Sequence, residues 1–367
     1  MNRRKFLQTA SAMPAAAAAA QWPLSAFAAA EGGNAWRMFE VTTRVELLKP
    51  SGVSKIWLPV PLLADKDFHK SLGNTWSAPG GDVRFVTEDK YNMGVVAAEI
   101  PAGVDKPALT VVSRFATRDR EVDISKPNGA PAENPAVLKL NLQPTELIPT
   151  DGIVRETSRD ILKNVKGNDL VRARAIYEWV VDNTFRDAKV RGCGWGDIKS
   201  MLETRNFGGK CGDLNAMFVG LCRSAGIPAR DLYGIRVAKS NHGYVSMGAN
   251  TEVISRAQHC RAEFYVAGYG WIPADPADVR KVVLEEPPGN LAVNDPKVEK
   301  MRKMLFGAWE MNWLAYSYAH DVVLPGSRGP KLPYLMYPNA ETADGRLDSL
   351  DPDAFKYTLT ARELKSA

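Results

Sequence analysis

Residues 208–214 read Gly208-Gly209-Lys210-Cys211-Gly212-Asp213-Leu214, a cysteine set among small residues just before a run with helical spacing. Leu214, Met217, Leu221 and Ala225 fall on one helix face, and Gly226 and Pro228 stop the run. A thiol in the first turn of a helix faces N–H groups without intrahelical acceptors and the positive end of the dipole. Both favour the thiolate, which is the nucleophilic form. The flanking glycines are expected to let a substrate carbonyl approach the sulfur closely. Thiolate chemistry also needs a base, most often histidine, and a group that orients it.

The chain has four histidines: His69, His242, His259 and His320. His259 stands just before a strand-like stretch, Arg261 to Val266, and Asp275 follows the next one, Trp271 to Ala274. Ala267 to Gly270 supply a hairpin turn between them. Antiparallel pairing sets the start of one strand beside the end of the next, so His259 and Asp275 can meet through local structure alone. If the Cys211 helix packs on that sheet, the three side chains form a set suited to acyl transfer. The oxyanion donors are expected to be the Cys211 backbone N–H and one upstream group, for which the indole N–H of Trp195 is a candidate.

Helical spacing continues upstream. In 151–166, Ile153, Thr157, Ile161 and Val165 share a face, and Asn168 can cap a second helix carrying Leu170, Ala173, Tyr177 and Val180. Helices followed by antiparallel strands over 151–280 indicate an α+β domain. Residues 36–120 instead alternate with period two, as in Phe39, Val41, Thr43, Val45 and Leu47, which predicts a small all-β, sandwich-like domain. Residues 121–150, with five prolines between Pro127 and Pro149, read as a linker. For the extension 281–367 the reading is a long helix over Val298 to His320, an irregular Pro- and Gly-rich segment, and a final strand with Phe355, Tyr357 and Leu359 alternating.

The first thirty residues have a different character. Arg3, Arg4 and Lys5 precede a mildly apolar stretch with the run Ala15 to Ala20, and Ala26-Phe27-Ala28-Ala29-Ala30 offers small-residue cleavage sites. This is the order of an export signal, and Arg3-Arg4-Lys5-Phe6-Leu7-Gln8 resembles the twin-arginine type. Pro14 and Pro23 interrupt the weakly apolar run, so no stable membrane span is expected. The expected partners at this stage are the twin-arginine export machinery and a signal peptidase, and the expected location is outside the cytoplasm, in the periplasm of a two-membrane cell.

Composition excludes several classes. Of 367 residues, 45% are hydrophobic and 24% charged, an ordinary globular balance. The net charge of +5 is too small to imply nucleic acid, and three of those charges sit in the signal. Four cysteines are too few for a disulfide scaffold, and no C-x-x-C spacing suggests zinc or redox chemistry. No cofactor and no metal is expected. Cys222 reads as core; Cys193, in a Gly-rich loop, can line an active cleft or sit in a plain loop; Cys260 should point to the strand face opposite His259; pairing among the three cannot be read from spacing.

The segments Gly209 to Asp213 and Leu221-Cys222-Arg223-Ser224-Ala225-Gly226-Ile227-Pro228-Ala229-Arg230 resemble the nucleophile region of the transglutaminase-like superfamily. His259 to Tyr265 and Gly270-Trp271-Ile272-Pro273-Ala274-Asp275-Pro276 resemble its His and Asp regions, with similar spacing. The resemblance covers about 160–280, and the β-rich 36–120 resembles a domain found in some bacterial members. It implies a papain-like α+β catalytic domain with Cys211 as nucleophile, His259 as base and acid, and Asp275 as orienter. The family includes crosslinking transglutaminases, cysteine peptidases, peptide glycanases and inactive members. The resemblance therefore implies an enzyme acting on peptide or protein substrates; hydrolysis is favoured over transfer to an amine because water is the default acceptor and no amine site is visible in the sequence. The alternative is an inactive fold used for binding or assembly. One departure is Arg261, where the family often has an aromatic residue.

Overall fold

The computed structural model describes residues 35–364. The signal expected in residues 1–30 lies outside the described residues. Six strands come first: β1 (Arg37–Leu47), β2 (Ser54–Val60), β3 (His69–Ser77), β4 (Asp82–Glu88), β5 (Met93–Ile100) and β6 (Ala108–Thr117), then the short β7 (Arg120–Glu121). The middle of the chain carries α1 (Pro135–Leu140), α2 (Gly152–Leu162), α3 (Asp169–Asn183), β8 (Phe185–Arg186), α4 (Ile198–Thr204), β9 (Gly208–Gly209) and α5 (Cys211–Ser224). After these come β10 (Ala229–Arg236), β11 (Gln258–Val266), β12 (Gly270–Ala274) and α6 (Pro276–Glu285). The remainder forms α7 (Pro296–Met304), β13 (Ala308–Trp309), β14 (Trp313–Ser317), β15 (Asn339–Thr342), β16 (Gly345–Arg346) and β17 (Phe355–Leu364).

The period-two pattern in β1 buries Val41, Thr43, Val45 and Leu47 and turns Arg44 to solvent. Two antiparallel sheets result, in strand orders β17-β1-β6-β3 and β16-β15-β2-β5-β4. Val45, Ile56, Leu58, Val96, Leu109, Val111, Ala340 and Phe355 form the shared core of this sandwich. Two of those residues come from beyond 338, so the sandwich is not complete within 36–120. β17 pairs along β1 from Met38–Leu364 to Leu47–Phe355, and β15 pairs with β2.

The third sheet has the order β12-β11-β10-β14, with α5 packed against it. Residues Cys211 to Arg223 of α5 are all buried, which follows from apolar or small residues on every side of that helix. The expected helix over 298–320 is corrected: it ends at Met304, and residues 313–317 form a strand against β10. Gly307 adopts φ +132°, a conformation that breaks a helix, and Trp313 to Ser317 are buried on both faces, so period alone does not separate strand from helix there. The segment 121–150 is more ordered than a linker reading implies, since Asn134 caps α1 and β7 pairs with β13. The segment 281–367 is likewise no separate appendage, because it supplies strands to the three larger sheets and to the two-stranded β13-β7 sheet.

Glu263 on β11 is fully buried between two guanidiniums, Arg230 at 2.5 Å and Arg120. Burial alone would raise its pKa; Arg230 and Arg120 outweigh that and bring it down to about 2. The stability this ion pair contributes is therefore present above the unfolded-state value of about 4.3 and lost as pH falls toward 2. Glu263→Gln leaves two buried cations without a counter-charge and is expected to cost about 3 kcal/mol or more in a urea titration. The same titration run from pH 7 down to pH 3 should show the difference between variant and parent shrinking.

Candidate active site

Cys211 is the first residue of α5. The helix start is fixed by Asp213, whose carboxylate accepts from the Lys210 N–H and the Gly196 N–H, both at 2.9 Å. The Gly212 N–H donates to the Cys193 carbonyl at 2.8 Å. The N–H groups of Asp213 and Leu214 go to the Lys210 carbonyl, which leaves the Cys211 N–H as the first-turn donor without an acceptor among the described residues. The glycines serve this packing rather than the approach of a ligand. A Cβ on Gly212 would lie 2.7 Å from the Cys193 carbonyl oxygen, and one on Gly194 would fall 1.8 Å from an Asp213 carboxylate oxygen.

His259 and Asp275 meet as their strand register requires: Ala262 pairs with Ala274, which brings Asp275 alongside the start of β11. His259 Nε2 and Asp275 Oδ2 are 2.7 Å apart. The other Asp275 oxygen caps α6 by accepting the Asp278 N–H at 3.0 Å, and it also receives Asn215 Nδ2 at 3.3 Å. Asp278 is a second acidic neighbour of His259, at 3.4 Å, and both its oxygens accept from Arg236 Nη2 at 2.6 and 2.7 Å. His259, Asp275 and Asp278 place three donor atoms within 4.8 Å of one another, a spacing that could hold a cation. In this arrangement Arg236 and the imidazole already occupy those oxygens.

Burial and Arg236 push the His259 ring toward neutrality, but Asp278 and Asp275 outweigh them and hold its pKa above the ordinary value. Cys211 is shifted the other way. Hydrogen bonds from the Cys193 thiol and then the Cys260 thiol hold it well below the ordinary cysteine range against the effect of burial, and the His259 ring acts in the same sense. Cys193 is pushed up, chiefly by its hydrogen bond to Cys211, and Cys260 is pushed well up by burial. Among these three thiols, negative charge is therefore concentrated on Cys211.

Cys193 lines the cleft, one of the two places its Gly-rich loop allows; the approach of Cys260 to Cys211 has no counterpart in the sequence reading. Cys260 Sγ lies 3.7 Å from Cys211 Sγ, and Cys193 accepts from the Tyr337 hydroxyl at 3.1 Å. All four cysteines are free thiols and buried. Cys222 lies in the core around α5, as expected. Tyr334 donates to the Gly194 carbonyl at 2.5 Å, so the C-terminal segment holds the glycine loop against α5 through two tyrosines.

Two expectations about the surroundings change. Trp195 is 71% exposed and lines a depression with Leu147, Met201 and Asp213, whereas Cys211 and His259 line a different cleft. Gly194 and Gly196, on either side of Trp195, adopt positive φ, and Trp195 is not among the residues that line the cleft of Cys211 and His259. Trp195→Ala is expected to change kcat/KM by no more than about twofold, as for other exposed positions, measured on whichever substrate is found. Arg261 does not line the cleft either. It is buried over the Trp313 ring at 4.8 Å, with Nε 3.8 Å from Asp275 Oδ2 and its pKa brought to about 10 by burial. It thus places a positive charge beneath Asp275 and leaves the pocket wall to other residues.

A buried central helix carrying a cysteine at its N-terminus, packed on an antiparallel sheet that carries a His–Asp pair, is a papain-like α+β arrangement. Residues 155–276 match the family model of the Transglutaminase-like superfamily. An uncharacterized protein of Haemophilus influenzae is 36% identical over 348 residues, spanning 89% of this chain and 92% of the relative. A candidate cysteine protease from Cytophaga hutchinsonii, solved as a crystal structure, is 13% identical with a TM-score of 0.49, over 89% of this chain and 98% of that one. The periplasmic domain of TgpA from Pseudomonas aeruginosa is 13% identical with a TM-score of 0.33, over 64% and 89% of the respective chains. The chain belongs to the transglutaminase-like superfamily.

Proposed function

We propose that the protein is an exported thiol enzyme that cleaves peptide or amide bonds through an acyl-enzyme, with Cys211 as nucleophile, His259 as base and acid, and Asp275 as orienter. The observation that carries this reading is the 2.7 Å contact between His259 Nε2 and Asp275. It commits one ring nitrogen to the carboxylate and leaves Nδ1 to exchange a proton with the thiol. The opposite pKa shifts of Cys211 and His259 favour a thiolate–imidazolium pair.

In the proposed cycle the Cys211 thiolate attacks the carbonyl carbon, and the Cys211 N–H is placed to donate to the developing oxyanion. Imidazolium gives its proton to the departing amine as the C–N bond breaks. Neutral His259 then takes a proton from water as the hydroxide oxygen bonds to the acyl carbon. Collapse releases the carboxylic acid and restores the thiolate and imidazolium. The inactive alternative draws on Arg261 and on the added β domain; Arg261 lies outside the cleft.

No helix among the described residues is long and apolar enough to cross a membrane. Export rests on the Arg3-Arg4 signal pattern. It is tested by fractionating cells that express the parent and an Arg3→Lys/Arg4→Lys variant; accumulation of a larger, cytoplasmic form of the variant is the expected result.

The enzyme reading is tested with an acylating, thiol-reactive probe on purified reduced protein. Labelling should map to Cys211 and be lost in Cys211→Ser; equal labelling of the two proteins at other sites would sink it. Adding a primary amine then separates transfer from hydrolysis by the product formed. The pH dependence of Cys211 alkylation is a further expectation. Because its pKa is lowered, the rate should hold up well below the value of about 8.5 at which a free thiol is half ionised.

A further inference from the structure

We infer that the substrate carries a carboxylate next to the bond that is cleaved, on an acidic side chain or at a free C-terminus. The inference rests on the reading of Cys211 as nucleophile, and it comes from the charge of the cleft. The space beside Cys211 and His259 measures about 460 Å³ and is lined by five cationic side chains: Arg186, Lys210, Arg236, Arg256 and Lys281. They come from β8, the start of α5, β10, the loop before β11, and α6, so their convergence is made by the fold rather than by one basic run. No aspartate or glutamate lines the space.

Part of this charge is already compensated. Arg236 pairs with Asp278, Arg186 pairs with Glu285, and Lys281 shares Glu285 at 3.8 Å. Among the described residues, Lys210 and Arg256 have no carboxylate within ion-pair distance. Lys281 lines the cleft, and burial first and Arg236 next bring its ammonium pKa to about 8. The Cys211 thiolate and the His259 imidazolium balance one another in the resting protein, and acylation neutralises both as the proton passes to the departing amine, so the positive lining persists through the step in which a bound carboxylate would be held. A cationic occupant, including the ammonium of a lysine acceptor, meets like charge there. The same field therefore supports water as the acceptor. The basic excess is local, since the whole chain carries only +5 and three of those charges lie in residues 3–5.

The first test compares alkylation of Cys211 by iodoacetate and by iodoacetamide, read by mass spectrometry of the Cys211 peptide and divided by the same ratio for free cysteine. The two reagents deliver similar chemistry with and without a carboxylate. The anionic reagent should be favoured by about tenfold, and the preference should fall steeply with added salt. Arg256→Glu reverses one exposed, unpaired charge without disturbing the core and should abolish most of the preference. A ratio equal to that of free cysteine, or a preference untouched by Arg256→Glu, overturns the inference. Failure of either reagent to reach Cys211 overturns it together with the nucleophile reading.

The second test separates the two sources of carboxylate. A random peptide library with free and amidated C-termini is digested, with Cys211→Ala as the blank. Enrichment of Asp or Glu beside the cut bonds assigns a side chain, and cleavage confined to free C-termini assigns the terminal carboxylate. Either should exceed its Gln or amide counterpart by about tenfold or more in kcat/KM, the scale of one charge-assisted hydrogen-bonded contact. Cleavage indifferent to all of these overturns the inference and leaves the thiol-enzyme reading standing.

Discussion

Cys211→Ala is expected to lower kcat/KM by roughly 1,000-fold or more on any amide that the parent cleaves. The magnitude follows from the route. Without the sulfur there is no acyl-enzyme, and the residual rate is what the Cys211 N–H and the walls of the cleft achieve with water alone. The fold should tolerate the change. Alanine is a good former at the first turn of α5, and the lost sulfur leaves a small gap beside Cys260. The more informative comparison is the pair with His259→Ala. Because the proton taken by His259 is the one that Cys211 gives up, the two groups act as a unit. The double variant should be no slower than the worse of the two singles. Additive losses would mean that the thiol and the ring do not work on the same step.

Asp275→Asn should cost roughly 100- to 10,000-fold in kcat/KM while changing stability little. One oxygen of Asp275 caps α6 and the other receives the His259 Nε2–H. Asparagine caps helices as well as aspartate does, so its carbonyl can keep the Asp278 N–H. Its amide nitrogen then faces His259 and can only donate. The ring must answer with an unprotonated Nε2 and carry its proton on Nδ1, the position needed to accept from the thiol. Two measurements separate this from simple damage. The Tm should stay within a few degrees of the parent value. The pH midpoint of Cys211 alkylation should move up toward that of a free thiol, because the imidazolium beside it is lost.

What could be read in the sequence was what the chain makes locally. Cys211 sits at a helix start marked by its own glycines and by the apolar spacing that follows. His259 and Asp275 are joined by a tight hairpin, so their encounter depends only on the register of two neighbouring strands. Cys193 and Cys260 reach Cys211 through a loop and a strand that nothing near residue 211 specifies. Arg236 and Asp278 meet across β10 and α6, outside any recognisable motif, and act on the His259 pKa in opposite senses. Met301, Leu305 and Trp309 keep helical spacing, Trp313–Ser317 is buried on both faces, and only its partner strand β10 decides that the latter segment is extended. Asp278, Arg236 and Asn215 carried a faint signal, as polar residues in otherwise apolar or helix-starting segments.

The pairing of β17 with β1 also bears on the order of assembly. Met38 and Leu364 are neighbours in one ladder although almost the whole chain separates them, and Leu359 packs in the same cluster as Phe39, Cys193 and Cys211. A ribosome that has released only the first 350 residues presents β1 with one edge unpaired, and the wall behind the thiol is still unbuilt. Closing that ladder is among the longest loop closures this polypeptide can make, so it belongs late in folding. A nascent chain would thus hold its cysteines in an unfinished cleft, and the reactive form of Cys211 would be one of the last properties the protein acquires.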